Sequence, residues 1–126
     1  MRAADLERFL DPTLSQAGFR LSAIEDPTVY HGRAAWVIYF LSDDCKLQIC
    51  WSAREGGIDY LLAPLDAPDE FGLLNQSKKW RLMLLLSTAR DDLVTPAPGA
   101  NDQVEMSWLK ELFEIHIDSA RSSLLA

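Results

Sequence analysis

The sequence has no apolar run long enough to cross a bilayer. Its most apolar stretch, Leu82 to Leu86, falls far short of the roughly 18 residues a membrane helix needs. Acids stand at Asp5 and Glu7, where a signal peptide would carry its hydrophobic stretch. The expectation is a cytoplasmic protein with no membrane partner. Basic residues are in deficit, 12 Lys+Arg against 19 Asp+Glu, for a net charge of −7. Duplex nucleic-acid binding usually needs a basic patch or stripe, so nucleic acid is not an expected partner. Cysteine is scarce. Cys45 and Cys50 lie five residues apart in a predicted strand. That spacing separates their Cα atoms by roughly 16 Å, against the roughly 4.4–6.8 Å of a disulfide. Two thiols outside a CxxC spacing do not make a zinc site either. The phosphate-binding glycine motifs, HExxH and GxSxG are all missing. No cofactor, no metal and no catalytic residue is called from these patterns.

What is present describes one folded domain over residues 1–126. Apolar residues make up 48% and charged residues 25% of the chain, which argues against disorder. Leu6, Phe9, Leu10 and Leu14 recur at helical spacing. Pro12 is expected to split or kink that helix, and Gly18 to stop it. Strands are predicted over 19–25, around 36–41, over 46–52 and over 58–62. They are separated by Asp26-Pro27, by Ser42-Asp43-Asp44 and by Arg54-Glu55-Gly56-Gly57. After Pro68 the period changes. A short helix is expected over 69–74, and a longer, largely buried one from Lys78 to about Asp92, capped by Ser77. Residues 93–102 read as a loop. A final helix from Gln103 to Leu124 would bury Trp108, Leu109, Leu112, Phe113, Ile115, Ile117 and Ala120. Lys110, Glu114, Asp118 and Arg121 would form its solvated stripe. The fold class is α+β: an antiparallel three- to four-stranded meander, with an N-terminal helix and two to three C-terminal helices on one face. The other face, carrying Lys46, Gln48 and Ser52, would be partly wet.

Chemistry is thinly signalled. His31 is placed at a strand edge. His116 is placed at the border of the last helix's buried face, where a lone histidine is more often packed than ligating. Asp59, between Ile58 and Tyr60, reads as a solvent-face residue. Cys50 has no base positioned beside it and reads as small apolar filler. Trp36 and Trp51 flank the Ser42–Asp44 turn on adjacent strands. They read as packed beneath the helices, or else as an aromatic patch for binding. The negative charge is dispersed: residues 1–30, 31–66 and 104–126 each carry −2, and 67–103 carries −1. That favours solubility, with capture of a basic partner as the functional alternative.

The stretch Val37-Ile38-Tyr39-Phe40-Leu41-Ser42-Asp43-Asp44-Cys45-Lys46-Leu47-Gln48-Ile49 pairs an apolar strand and a Ser-Asp turn with an alternating strand. The turn Ser52-Ala53-Arg54-Glu55-Gly56-Gly57 and the strand Ile58-Asp59-Tyr60 follow. Together with the flanking helices, this order resembles small bacterial proteins that look like the immunity partners of polymorphic toxins. The resemblance implies a non-catalytic protein-binding module that neutralises a cognate toxin. An acidic rim of Asp43, Asp44, Glu55 and Asp59, with Trp51 or Tyr60 as anchor, would meet a basic toxin domain. The alternative is an acidic secretion-type chaperone, commonly a homodimer, that binds an extended segment of its partner. An enzyme without a short motif is a third reading, and it would rest on His31 or His116 with a carboxylate.

Overall fold

The computed structural model describes all of residues 1–126. The element order is α1 (Ala3–Gln16), β1 (Arg20–Tyr30), β2 (Arg33–Leu41), β3 (Cys45–Ser52), β4 (Ile58–Pro64), β5 (Arg81–Leu82), α2 (Met83–Leu86) and α3 (Asp102–Leu125). The strands form one antiparallel sheet in sequential order. The α+β meander is as expected, but it has five strands rather than three or four. No helix is long and apolar enough to cross a membrane.

Helix α1 runs unbroken through Pro12. Leu6, Leu10 and Leu14 are buried on both sides of the proline, which itself faces solvent. A docked stripe on each flank outweighs one lost backbone bond, so the predicted split does not occur. The helix ends as the sequence indicates. Gly18 takes φ +88°, Gly18 N donates to Ser15 O, and Phe19 N donates to Leu14 O. This is a Schellman closure, and buried Phe19 follows it into the sheet.

Alternation along the strands sorts two cores. Trp36, Ile38 and Phe40 of β2, Leu47 and Ile49 of β3, and Tyr60 and Leu62 of β4 face the helices. There they pack against α1, against Leu109, Phe113 and Ile117 of α3, and against Met83 and Leu86 of α2. Val37, Tyr39, Cys50, Leu61 and Ala63 face the opposite way. This second face is not wet. Residues 65–80 cross it as an irregular strap. Gln48, 0% exposed, reads the strap's backbone: Nε2 donates to Glu70 O at 2.8 Å, and Gly72 N donates to Oε1 at 2.7 Å. Lys46 Nζ donates to Ala67 O, and Trp80 Nε1 donates to Pro68 O. Tyr30 stacks on Phe71, its hydroxyl accepting from Leu74 N. Gly72, at φ +70°, passes so close that a Cβ would stand 3.1 Å from the Tyr30 ring.

One predicted helix is absent and another is much shortened. Residues 69–74 belong to the strap. The Lys78–Asp92 helix shrinks to one turn, α2, preceded by the two residues of β5. Asn75 bonds both Trp80 N and Trp80 O and holds Trp80 in the second core. That draws the chain into an extended path, and Arg81 and Leu82 pair with β4. Leu84 and Leu85 are therefore exposed, at 48% and 80%, rather than buried. The last helix matches its expected span closely, and Leu109, Leu112, Phe113, Ile117 and Ala120 are buried as expected. His116 is buried and Ile115 is partly exposed. Arg121 leaves the predicted solvated stripe. Its Nη1 donates to Ala17 O, its Nε and Nη2 donate to Asp44 Oδ1, and its guanidinium lies over Phe19.

A candidate acidic groove at the β3–β4 turn

The predicted rim does not assemble in one place. Asp43 and Asp44 sit in the β2–β3 turn, while Glu55 and Asp59 sit at the other end of β3. The eight residues of β3 separate the two ends by roughly 23 Å. Asp43 is fully exposed, with Arg20 as a distant ion partner at 3.9 Å. Asp44 is a structural acid. It takes the Arg121 bonds and also pairs with the hydroxyl of buried Ser42. The Arg121 bond holds the Asp44 carboxyl below the usual carboxylate range. Tyr60 is not a surface anchor. It is 3% exposed, and its hydroxyl donates to Leu109 O at 2.8 Å. Burial alone raises its phenol pKa. Of the named residues, Trp51, Glu55 and Asp59 share one end of the sheet.

That end holds the largest recess in the molecule. A groove of about 590 Å3 opens between residues 56–59 and residues 95–99, with Glu105 and Trp108 of α3 on its third side. A shallower bay of about 230 Å3 continues it over Met1, Trp36, Trp51 and Ile58. A third, of about 480 Å3, lies beyond Trp108, beside exposed Val94 and Val104. The register aligns Trp36, Trp51 and Ile58 as one cross-strand row on the helix-facing side. The β3–β4 turn is shaped by its own backbone. Ser52 Oγ accepts from Glu55 N, Gly56 N donates to Ser52 O, and Gly56 takes φ +81°. The charged residues lining the three recesses are Asp59, Glu105 and Glu111, with the Asp59 side chain turned to the strap-facing side beside Cys50. No Lys, Arg or His side chain lines any of them. Burial, then the negative charge of Glu55, raises the Asp59 pKa. No hydrogen bond or cation offsets that cost. The expected solvent-face aspartate is thus partly desolvated and electrostatically unpaired.

Of the two histidines considered with a carboxylate, His116 does meet one. His116 Nδ1 lies 2.8 Å from Ser87 Oγ, and its Nε2 meets Asp91 Oδ2. In the neutral ring Nε2–H donates to Asp91, and Nδ1 accepts the Ser87 hydroxyl hydrogen. The His116 bond lowers the Asp91 pKa. Carboxylate, imidazole and hydroxyl in line are the parts of a nucleophilic triad. An oxyanion site would also be needed, and the nearby amides are engaged. Ala89 N donates to Ser87 Oγ, and Thr88 N donates to Ser119 Oγ. No recess described above opens on Ser87. The arrangement works as a clasp holding residues 87–91 on α3. His31, the other histidine, is exposed in a two-residue turn with Gly32, both at positive φ. Cys50 is buried, its thiol pushed up by desolvation. Glu105 and the 95–99 wall escaped sequence reading because a helix and a loop meet the sheet only through tertiary folding. Compared with family models, curated proteins and solved structures, the chain matches none.

Proposed function

We propose that this chain is a non-catalytic protein-binding module of the immunity type, which neutralises a cognate toxin by capturing a basic surface. One observation carries the reading. Three adjoining recesses at one end of the sheet combine half-buried Trp51 and Trp108 with acidic residues Asp59, Glu105 and Glu111, and no basic side chain. Aromatic anchors inside a charged rim are the usual build of a protein interface. A carboxylate-lined recess also speeds encounter with a cationic partner.

The test is co-expression with the product of the neighbouring gene. The intact protein should restore growth to cells expressing a toxic neighbour and should co-purify with it. Trp108→Ala should weaken capture by about 2 kcal/mol or more, the scale of a central anchor. Glu105→Lys should slow association and flatten its salt dependence. A toxic neighbour that the intact protein neither binds nor silences overturns the reading.

A further inference from the structure

The sheet ends unevenly on the groove side. Strand β4 begins at Ile58, but its outer neighbour β5 pairs only with Leu61 and Leu62. Continued in the same register, residues 84 and 85 would lie opposite Asp59 and Ile58. Instead the chain turns into α2 at Met83 and vacates that lane. The 590 Å3 groove borders the same end of β4, with residues 56–59 as one wall and residues 95–99 as the other. No backbone group of residues 57–59 bonds to any turn or loop elsewhere in the chain. A sheet edge with free backbone groups is a template for another strand. The far wall contains Pro96 and Pro98, which have no N–H to offer and cannot fill the lane as a regular strand. The acids that would flank an occupant stand on opposite faces of the sheet, Asp59 on the strap-facing side and Glu105 on the helix-facing side.

We infer that the groove takes an extended, lysine- or arginine-bearing segment of a partner protein, added as a short strand beside residues 57–59 of β4. The inference rests on the protein-binding reading and adds its geometry. Backbone bonds to β4 set the register of the segment. Its cationic side chains on the strap-facing side meet Asp59, and its alternate residues on the helix-facing side lie on Ile58 and Trp108 beside Glu105.

The test uses the full-length protein, labelled with 15N, and three synthetic six-residue peptides. One alternates lysine with valine, one alternates glutamate with valine, and the third is the lysine peptide N-methylated along one edge. The lysine peptide should shift the amides of residues 57–59 saturably and slow their hydrogen exchange on the order of tenfold. The glutamate peptide should bind on the order of tenfold more weakly, because it meets like charge. Methylation should abolish exchange protection. The isosteric Asp59→Asn should reduce the preference for lysine over glutamate, and Glu105→Gln, on the face that takes the valines, should reduce it less. No saturable shift up to about 1 mM peptide overturns the inference. So do shifts outside the groove, equal binding of the methylated peptide, or self-association that protects the same amides without peptide. Toxin capture that survives blockage of this lane overturns strand addition alone. Lysine-peptide docking without toxin capture overturns the immunity reading alone.

Discussion

Two aspartates with opposite environments show what individual residues contribute. Asp44 is held in its charged form by Arg121, and its carboxyl is depressed. Its stabilisation is therefore complete above the ordinary carboxylate range and is lost as pH falls through the depressed folded value. Wild type should lose thermal stability more steeply than Asp44→Asn as pH drops below about 4, and a melting series across that range checks it. Arg121→Ala should cost about 2 kcal/mol, because it also frees the carbonyl of Ala17 and uncovers Phe19. Urea unfolding measures that loss. Asp59 behaves in the opposite sense. Its folded value is raised, so ionisation works against folding at neutral pH and the penalty fades in acid. Asp59→Asn should raise the melting temperature by on the order of 2 °C at neutral pH and converge with wild type in acid, while weakening capture of a cationic partner. A gain in stability with a loss of binding is the mark of a residue kept for contact rather than for the fold. The sequence placed Asp59 on a strand and Asp44 in a turn correctly. It could not say which had a cation beside it, because Arg121 lies 77 positions from Asp44.

At the scale of elements, local pattern was a good guide where local forces decide and a poor one elsewhere. The β2–β3 and β3–β4 hairpins, the Gly18 stop and the span of α3 follow from alternation, turn residues and helical spacing. The segment from 65 to 92 does not. Its leucine-rich run carries helical propensity, yet Trp80, Asn75 and Gln48 fix the chain in an irregular strap. Polar Gln48 and Lys46 alternate with apolar neighbours just as solvent-facing residues would. The same pattern serves when the covering layer is backbone that needs hydrogen-bond partners. Gln48→Leu tests this. A wet face would tolerate it, whereas here it strands Glu70 O and Gly72 N beneath the strap. The expected loss is about 2–3 kcal/mol, with increased hydrogen exchange over residues 67–76 and little change in α3.

Across the whole molecule, the Ser87–His116–Asp91 clasp and the groove belong to one mechanical unit. The clasp fastens residues 87–91 to α3. The same loop continues through Leu93, whose N donates to Asp91 Oδ1, and then forms the 95–99 wall. Between Ser87 and the start of α3 there is no helix or strand to hold that wall. Its position depends on these side-chain bonds, on Thr88 against Ser119, and on the Asn101 cap at the head of α3. His116 thus fastens the loop that forms the groove's far wall. His116→Ala should leave the sheet intact, because its ring bonds only the loop. It should speed hydrogen exchange in residues 87–99 on the order of tenfold or more, and it should weaken cationic-peptide binding without altering the preference for lysine over glutamate. His116→Gln, able to reach one partner, should recover part of that loss. Were the triad instead hydrolytic, Ser87→Ala would abolish turnover of an activated ester while leaving loop exchange unchanged. The clasp predicts the reverse: looser exchange over 87–91 and no turnover to abolish.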